Sequence, residues 1–112
     1  MKIYKEINLE WGMPIVSEAM KKLDSEIKVC KKEGIKYAKI IHGYGSTGKG
    51  GVIREECRET LQKMLNDKMI KKMVYGEDFK ILNRDAYDMK TKCEELESLF
   101  HCTNKGVTII EL

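Results

Sequence analysis

The stretch "IIHGYGSTGKGGVIR" sets His42, five glycines, Lys49 and Arg54 between two apolar-patterned segments. Glycines let a backbone turn sharply and bring its N–H groups close to an anion. A helix starting just after such a turn adds unpaired N–H groups and a partial positive charge. Lys49 contributes a mobile cation, and Arg54 and Arg58 follow one and two turns into that helix on related faces. Together these residues offer phosphate-binding chemistry. From Gly43 onward the spacing G-x-x-x-x-G-K matches a nucleotide-hydrolysis loop until the next residue. There Gly50 replaces the Ser or Thr whose hydroxyl would ligate Mg²⁺. No apolar strand ends in a convincing metal-holding Asp, "MVYGED" being the nearest approach. Hydrolysis of nucleoside triphosphates is therefore not expected. The bland alternative is a mobile surface connector with no ligand, which glycine and polar residues also suit.

The elements that must position this loop can be read from periodicity. "KIYKEINL" alternates apolar and polar residues as a first strand, broken by "WGMP". Val16, Ala19, Met20, Leu23, Ile27 and Cys30 then mark one face of a helix that Gly34 closes. "KYAKIIH" fits a second strand, and after the loop a second amphipathic helix is expected from about 52 to 66. A third strand falls near 69 to 75 and a third helix along Ala86, Met89, Cys93, Leu96 and Phe100, at the side of the core. "GVTIIEL" forms a last strand. Strands alternating with helices predict an α/β layer. The Met20, Met64, Met69, Met73 and Met89 side chains fall at core spacing.

At 112 residues the chain is expected to form a single domain, 1–112. No apolar run approaches the roughly 20 residues that cross a bilayer, so no membrane association and a cytoplasmic location are expected. The four cysteines show no C-x-x-C and read as reduced, mostly buried thiols. His101-Cys102 is too isolated for a zinc site, and no metal site is assigned. A net charge of +3 permits a nucleic-acid partner only where positive charge is concentrated locally.

The loop from His42 to Arg54 resembles the H-G-x-G loop of the Smr (small MutS-related) domain family. "GMPIVSEAMKKL" is similar to that family's first helix, and "GVTIIEL" to its final strand. The resemblance implies an α/β two-layer sandwich: a four-stranded mixed sheet, β-α-β-α-β-β, on two helices, here with an added helix before the last strand. It implies a final strand antiparallel to its neighbours, with the glycine loop and the end of strand one on the same edge. It also implies binding of RNA or DNA, with Gly43, Tyr44, Gly45, Ser46, Lys49, Arg54 and Arg58 as the contact set.

Family members include nucleases, and the catalytic motif Leu-Asp-x-His-Gly at the end of strand one is altered here. Asn8 stands in place of the Asp and Glu10 in place of the His, with Trp11 inserted before Gly12. A neutral amide accepts no proton near pH 7. Glu10 and His42 are the remaining candidates for a catalytic role, with Mg²⁺ or Mn²⁺ in a nuclease version. Glu10 could equally be a solvated carboxylate, and His42 could hold the loop backbone. Trp11 and Tyr44 could stack on bases, although Trp11 is also expected to lie over the strand-to-helix corner as a core lid. A protein-interaction module without nucleic acid is the alternative from another class.

Overall fold

Alternation in the first segment produces β1 (Tyr4–Asn8), with Ile7 and the following Leu9 turned into the core. The apolar stripe of the next segment forms α1 (Val16–Lys32), burying Ala19, Leu23, Ile27 and Cys30. Lys31 and Lys32 complement the dipole in its last turn. The N–H groups of Gly34 and Ile35 return to the carbonyls of Lys31 and Cys30 at 3.2 and 2.9 Å, the bond pair of a Schellman stop. The chain continues as β2 (Tyr37–Ile41), α2 (Lys49–Asn66), β3 (Lys72–Tyr75), α3 (Arg84–Lys92) and β4 (Val107–Glu111), with 3₁₀ turns at Gly76–Asp78 and Glu94–Leu99. This computed structural model describes residues 2–12, 15–43 and 49–112, and the side chains of all of these but 49 and 50.

The strands lie in the order β1-β2-β4-β3. β1 runs parallel to β2, with Ile7 opposite Ile40. β4 is antiparallel to β2, with Thr108 opposite Ile40, and to β3, with Ile109 opposite Val74. The sheet is mixed, and its last strand opposes both neighbours as the resemblance implied.

Alternating side chains give the sheet two apolar faces. Ile7, Ala38, Ile40 and Ile110 pack with Leu23, Ile27, Cys57 and Leu61 of α1 and α2. Tyr37, Val74, Val107 and Ile109 pack on the other face with Phe79, Met89, Cys93, Leu96 and Leu99. The segment after β3 therefore adds a layer over the far face rather than lying at the side of the core.

The third helix is also shorter than its spacing predicted. Asn83 caps α3 by accepting from the Ala86 N–H at 3.0 Å, and Lys90 and Lys92 suit its C-terminus. Glu94 and Glu95 follow at once, and their negative charge opposes continuing past that negative pole. The chain tightens into a 3₁₀ stretch, where Cys93, Leu96 and Leu99 stay buried at a spacing of three. Two other expectations change. Trp11 is no core lid, being 79% exposed, and Met69 lies at the surface in the turn before β3.

Candidate functional site

The exits of β1 and β2 lie side by side, the Leu9 N–H donating to the Ile41 carbonyl at 2.8 Å. Asn8 turns the chain as it leaves β1. Its Oδ1 accepts from the N–H groups of Glu10 at 2.9 Å and Trp11 at 3.1 Å, so the short side chain takes the place of backbone partners. The Lys22 ammonium donates to the Asn8 carbonyl at 2.7 Å and ties this turn to α1. The turn lays the Glu10 carboxylate against the Cα of Gly43. A Cβ on Gly43 would lie 2.7 Å from Glu10 Oε2, and the backbone there has φ +75°. Glycine thus serves both the turn and the close approach.

Beneath this surface His42 is fully buried. Its Nδ1 lies 2.6 Å from the Gly43 carbonyl, which only accepts, so Nδ1 carries the proton. Its Nε2 then accepts from the Thr108 hydroxyl at 2.8 Å. That hydroxyl oxygen in turn accepts from Arg58 Nε at 3.0 Å. The proton order runs one way, from Arg58 through Thr108 and His42 to the loop. Burial, with smaller help from the charges of Arg58 and Arg54, pushes the imidazole down to about 4, against the hydrogen bond to Gly43 and the charge of Glu77. His42 is therefore neutral at pH 7, and neither ring nitrogen is available to a substrate. Of the two roles open to it in the sequence, this geometry favours holding the loop. The N–H groups of His42 and Gly43 both donate to the Gly106 carbonyl at 3.0 Å, fixing the loop entry a second time.

Arg58 anchors the other end of the chain. Its guanidinium makes a two-pronged pair with Glu77 at 2.8 and 2.6 Å, donates to the Val107 carbonyl at 3.1 Å, and stacks 3.9 Å from the centre of the Tyr75 ring. Burial would raise the Glu77 carboxyl, but Arg58 outweighs it and holds the group below the usual carboxylate range. Gly76 makes this possible, because a Cβ there would collide with the Asn104 carbonyl and Val107. Without that clearance the turn carrying Glu77 could not settle on the start of β4.

Arg54 differs. It is half-buried, forms no salt bridge among the described residues, and lines an open groove of about 500 Å³ with Arg58, Glu59, Gln62, Lys63 and Tyr75. Helix α2 begins at Lys49 with no acidic residue in its first turn, so no side chain of its own offsets its positive pole there.

The structure thus brings Glu10, Gly43, Arg54 and the start of α2 to one edge, and turns His42 and Arg58 inward. Tyr44, Gly45 and Ser46 lie outside the described residues, as does the side chain of Lys49. Thr108, Glu77, Tyr75 and Gly76 were not singled out in the sequence. Among the described residues no three His, Cys, Asp or Glu side chains converge to hold a metal ion. Glu10 stands there as a single carboxylate.

A family model described as "Smr domain" matches residues 12–78, more than half of the chain. Among solved structures, the Smr domain of Thermus thermophilus MutS2 is similar in fold, with a TM-score of 0.60 and 21% identity over 96% of each chain. Comparison with curated proteins gives no match.

Proposed function

The chain belongs to the Smr domain family, a family of nucleic-acid-binding and nuclease-like domains, and on that premise we propose that it grips nucleic-acid backbone phosphates at the β2–α2 junction. The observation that carries this is the start of α2, a helix pole with no acid in its own first turn, followed by half-buried Arg54 and entered through the anchored residues His42 and Gly43. A phosphate there meets backbone N–H groups, a favourable dipole and two cations, Lys49 and Arg54. Arg58 supports this contact from behind, since its donors are committed to Glu77, Val107 and Thr108.

Binding should be sequence-tolerant and electrostatic. With two cations in contact, the slope of log affinity against log salt should be about −1.4 to −1.8. Lys49→Ala should weaken RNA and DNA ligands alike and flatten the slope by nearly one unit. A salt-independent affinity, or an unaffected Lys49→Ala variant, would remove the junction as the contact surface.

A nuclease version has one observation in its favour, the Glu10 carboxylate held at the loop entry. Among the described residues Glu10 belongs to no group of three or more His, Cys, Asp or Glu, and the His42 imidazole is buried. A positioned base contributes about 10²–10⁴ in rate, so binding with little or no cleavage is the reading preferred here. Incubation with labelled RNA or DNA and Mg²⁺ or Mn²⁺ tests it. Robust cleavage lost in Glu10→Gln would establish the enzyme reading instead.

A further inference from the structure

We propose, building on the phosphate-binding reading of the β2–α2 junction, that Trp11 is a stacking platform for an unpaired base, so that the preferred ligand is single-stranded or locally opened nucleic acid. Trp11 is 79% exposed, a large apolar surface left in water at the rim of the candidate site. Its backbone is not loose, because the Trp11 main-chain N–H donates to Asn8 Oδ1 at 3.1 Å in the turn that also places Glu10. That turn sets Trp11 next in sequence to Glu10, whose side chain lies against Gly43.

Charge sets which part of a nucleotide fits where. The Glu10 carboxylate lies between the β1 exit and the loop, against Gly43. It repels a phosphate but accepts hydrogen bonds from the exocyclic or ring N–H groups of a base. The start of α2 and Arg54 have the opposite preference. A strand bound with its backbone toward α2 therefore turns its bases toward Glu10 and Trp11. In a duplex those base faces are already stacked and paired, closed to an indole. An unpaired base offers its π-face, and stacking on an aromatic side chain tolerates any base identity.

Trp11 is the chain's single tryptophan, so intrinsic emission reports this residue alone. The probes are oligo(U), oligo(dT) and a blunt-ended duplex of matched length, at one salt concentration. Single strands should change Trp11 emission strongly and the duplex should not. Trp11→Ala should lower single-strand affinity about five- to a hundredfold, with Trp11→Phe retaining most of it. Both variants should keep the wild-type salt slope and urea midpoint, since the side chain is exposed. Single strands that bind without an emission change, and equally well to Trp11→Ala, would overturn the stacking role and leave the phosphate site standing. Equal weakening of duplex and single strand in Trp11→Ala would overturn the preference for unpaired bases. No binding of any probe by the wild-type chain would overturn both readings.

Discussion

The two sides of the β2–α2 junction are built from similar residue types and differ in almost every physical respect. On the inner side Arg58, Thr108 and His42 are linked in one directed chain of hydrogen bonds that ends on the Gly43 carbonyl, while Arg58 also pairs with Glu77. On the outer side Glu10, Trp11 and Arg54 face water around the same loop. Arg54 and Arg58, one turn apart on α2, show the contrast most directly. Both line the open groove, but the first forms no salt bridge among the described residues, while the second is 11% exposed and paired on several sides. Position on a helix face did not separate them. A carboxylate and a tyrosine ring delivered by the next strand and turn did. The inner side therefore carries stability, and the recognition proposed above falls to the outer side.

That division can be broken most forcefully at Arg58. Arg58→Ala leaves the Glu77 carboxylate partly buried without its cation, and should cost roughly 2–4 kcal/mol in urea unfolding. Arg58→Lys should recover only part of this, because an ammonium cannot reproduce the two-pronged geometry. Full wild-type stability in Arg58→Ala would show that the inner network is dispensable.

Next in size is a pH effect. His42 has a folded pKa of about 4 against an ordinary value of 6.5. Between these values the unfolded chain binds the extra proton, so the stability is complete above pH 6.5 and is lost as pH falls toward 4. From pH 7 to pH 5 the loss should be about 2 kcal/mol. His42→Gln should be less stable at pH 7 and show a distinctly flatter dependence in that window. An unchanged pH slope would mean that His42 is not held neutral in the fold.

Gly43→Ala should cost about 1–2 kcal/mol from the left-handed backbone alone, and should disturb the seat of the Glu10 carboxylate. On the outer side Lys49→Ala should change stability by no more than about 0.5 kcal/mol while weakening nucleic-acid binding. The smallest effect expected is on ATP. No hydrolysis should be detectable, because Gly50 offers Mg²⁺ no hydroxyl, and turnover abolished by Lys49→Ala would contradict this.

Much of the frame was legible in the sequence because it rests on local periodicity and punctuation. The stripe from Ala19 to Cys30, the stop at Gly34, the alternating first strand and the β-branched last strand each appear where the sequence placed them. The break after Lys92 was hidden because Cys93, Leu96 and Phe100 satisfy a helical spacing until charge against the dipole is considered. Trp11 was misjudged because an aromatic next to a strand end usually packs inward, and the Asx turn at Asn8 presents it outward instead. The inner network was invisible for a different reason. Its key contacts join residues 66 and 50 positions apart, His42 with Thr108 and Arg58 with Thr108, and no local pattern encodes them.

The most direct test of the division between the two sides is a salt titration of single-strand binding by the wild-type chain and Arg54→Ala, with urea unfolding of the same two proteins. The wild-type slope should be about −1.4 and that of Arg54→Ala about 0.7 flatter, at an unchanged unfolding midpoint. An Arg54→Ala variant that keeps the wild-type slope, or loses stability as Arg58→Ala does, would contradict the assignment of the outer side to recognition.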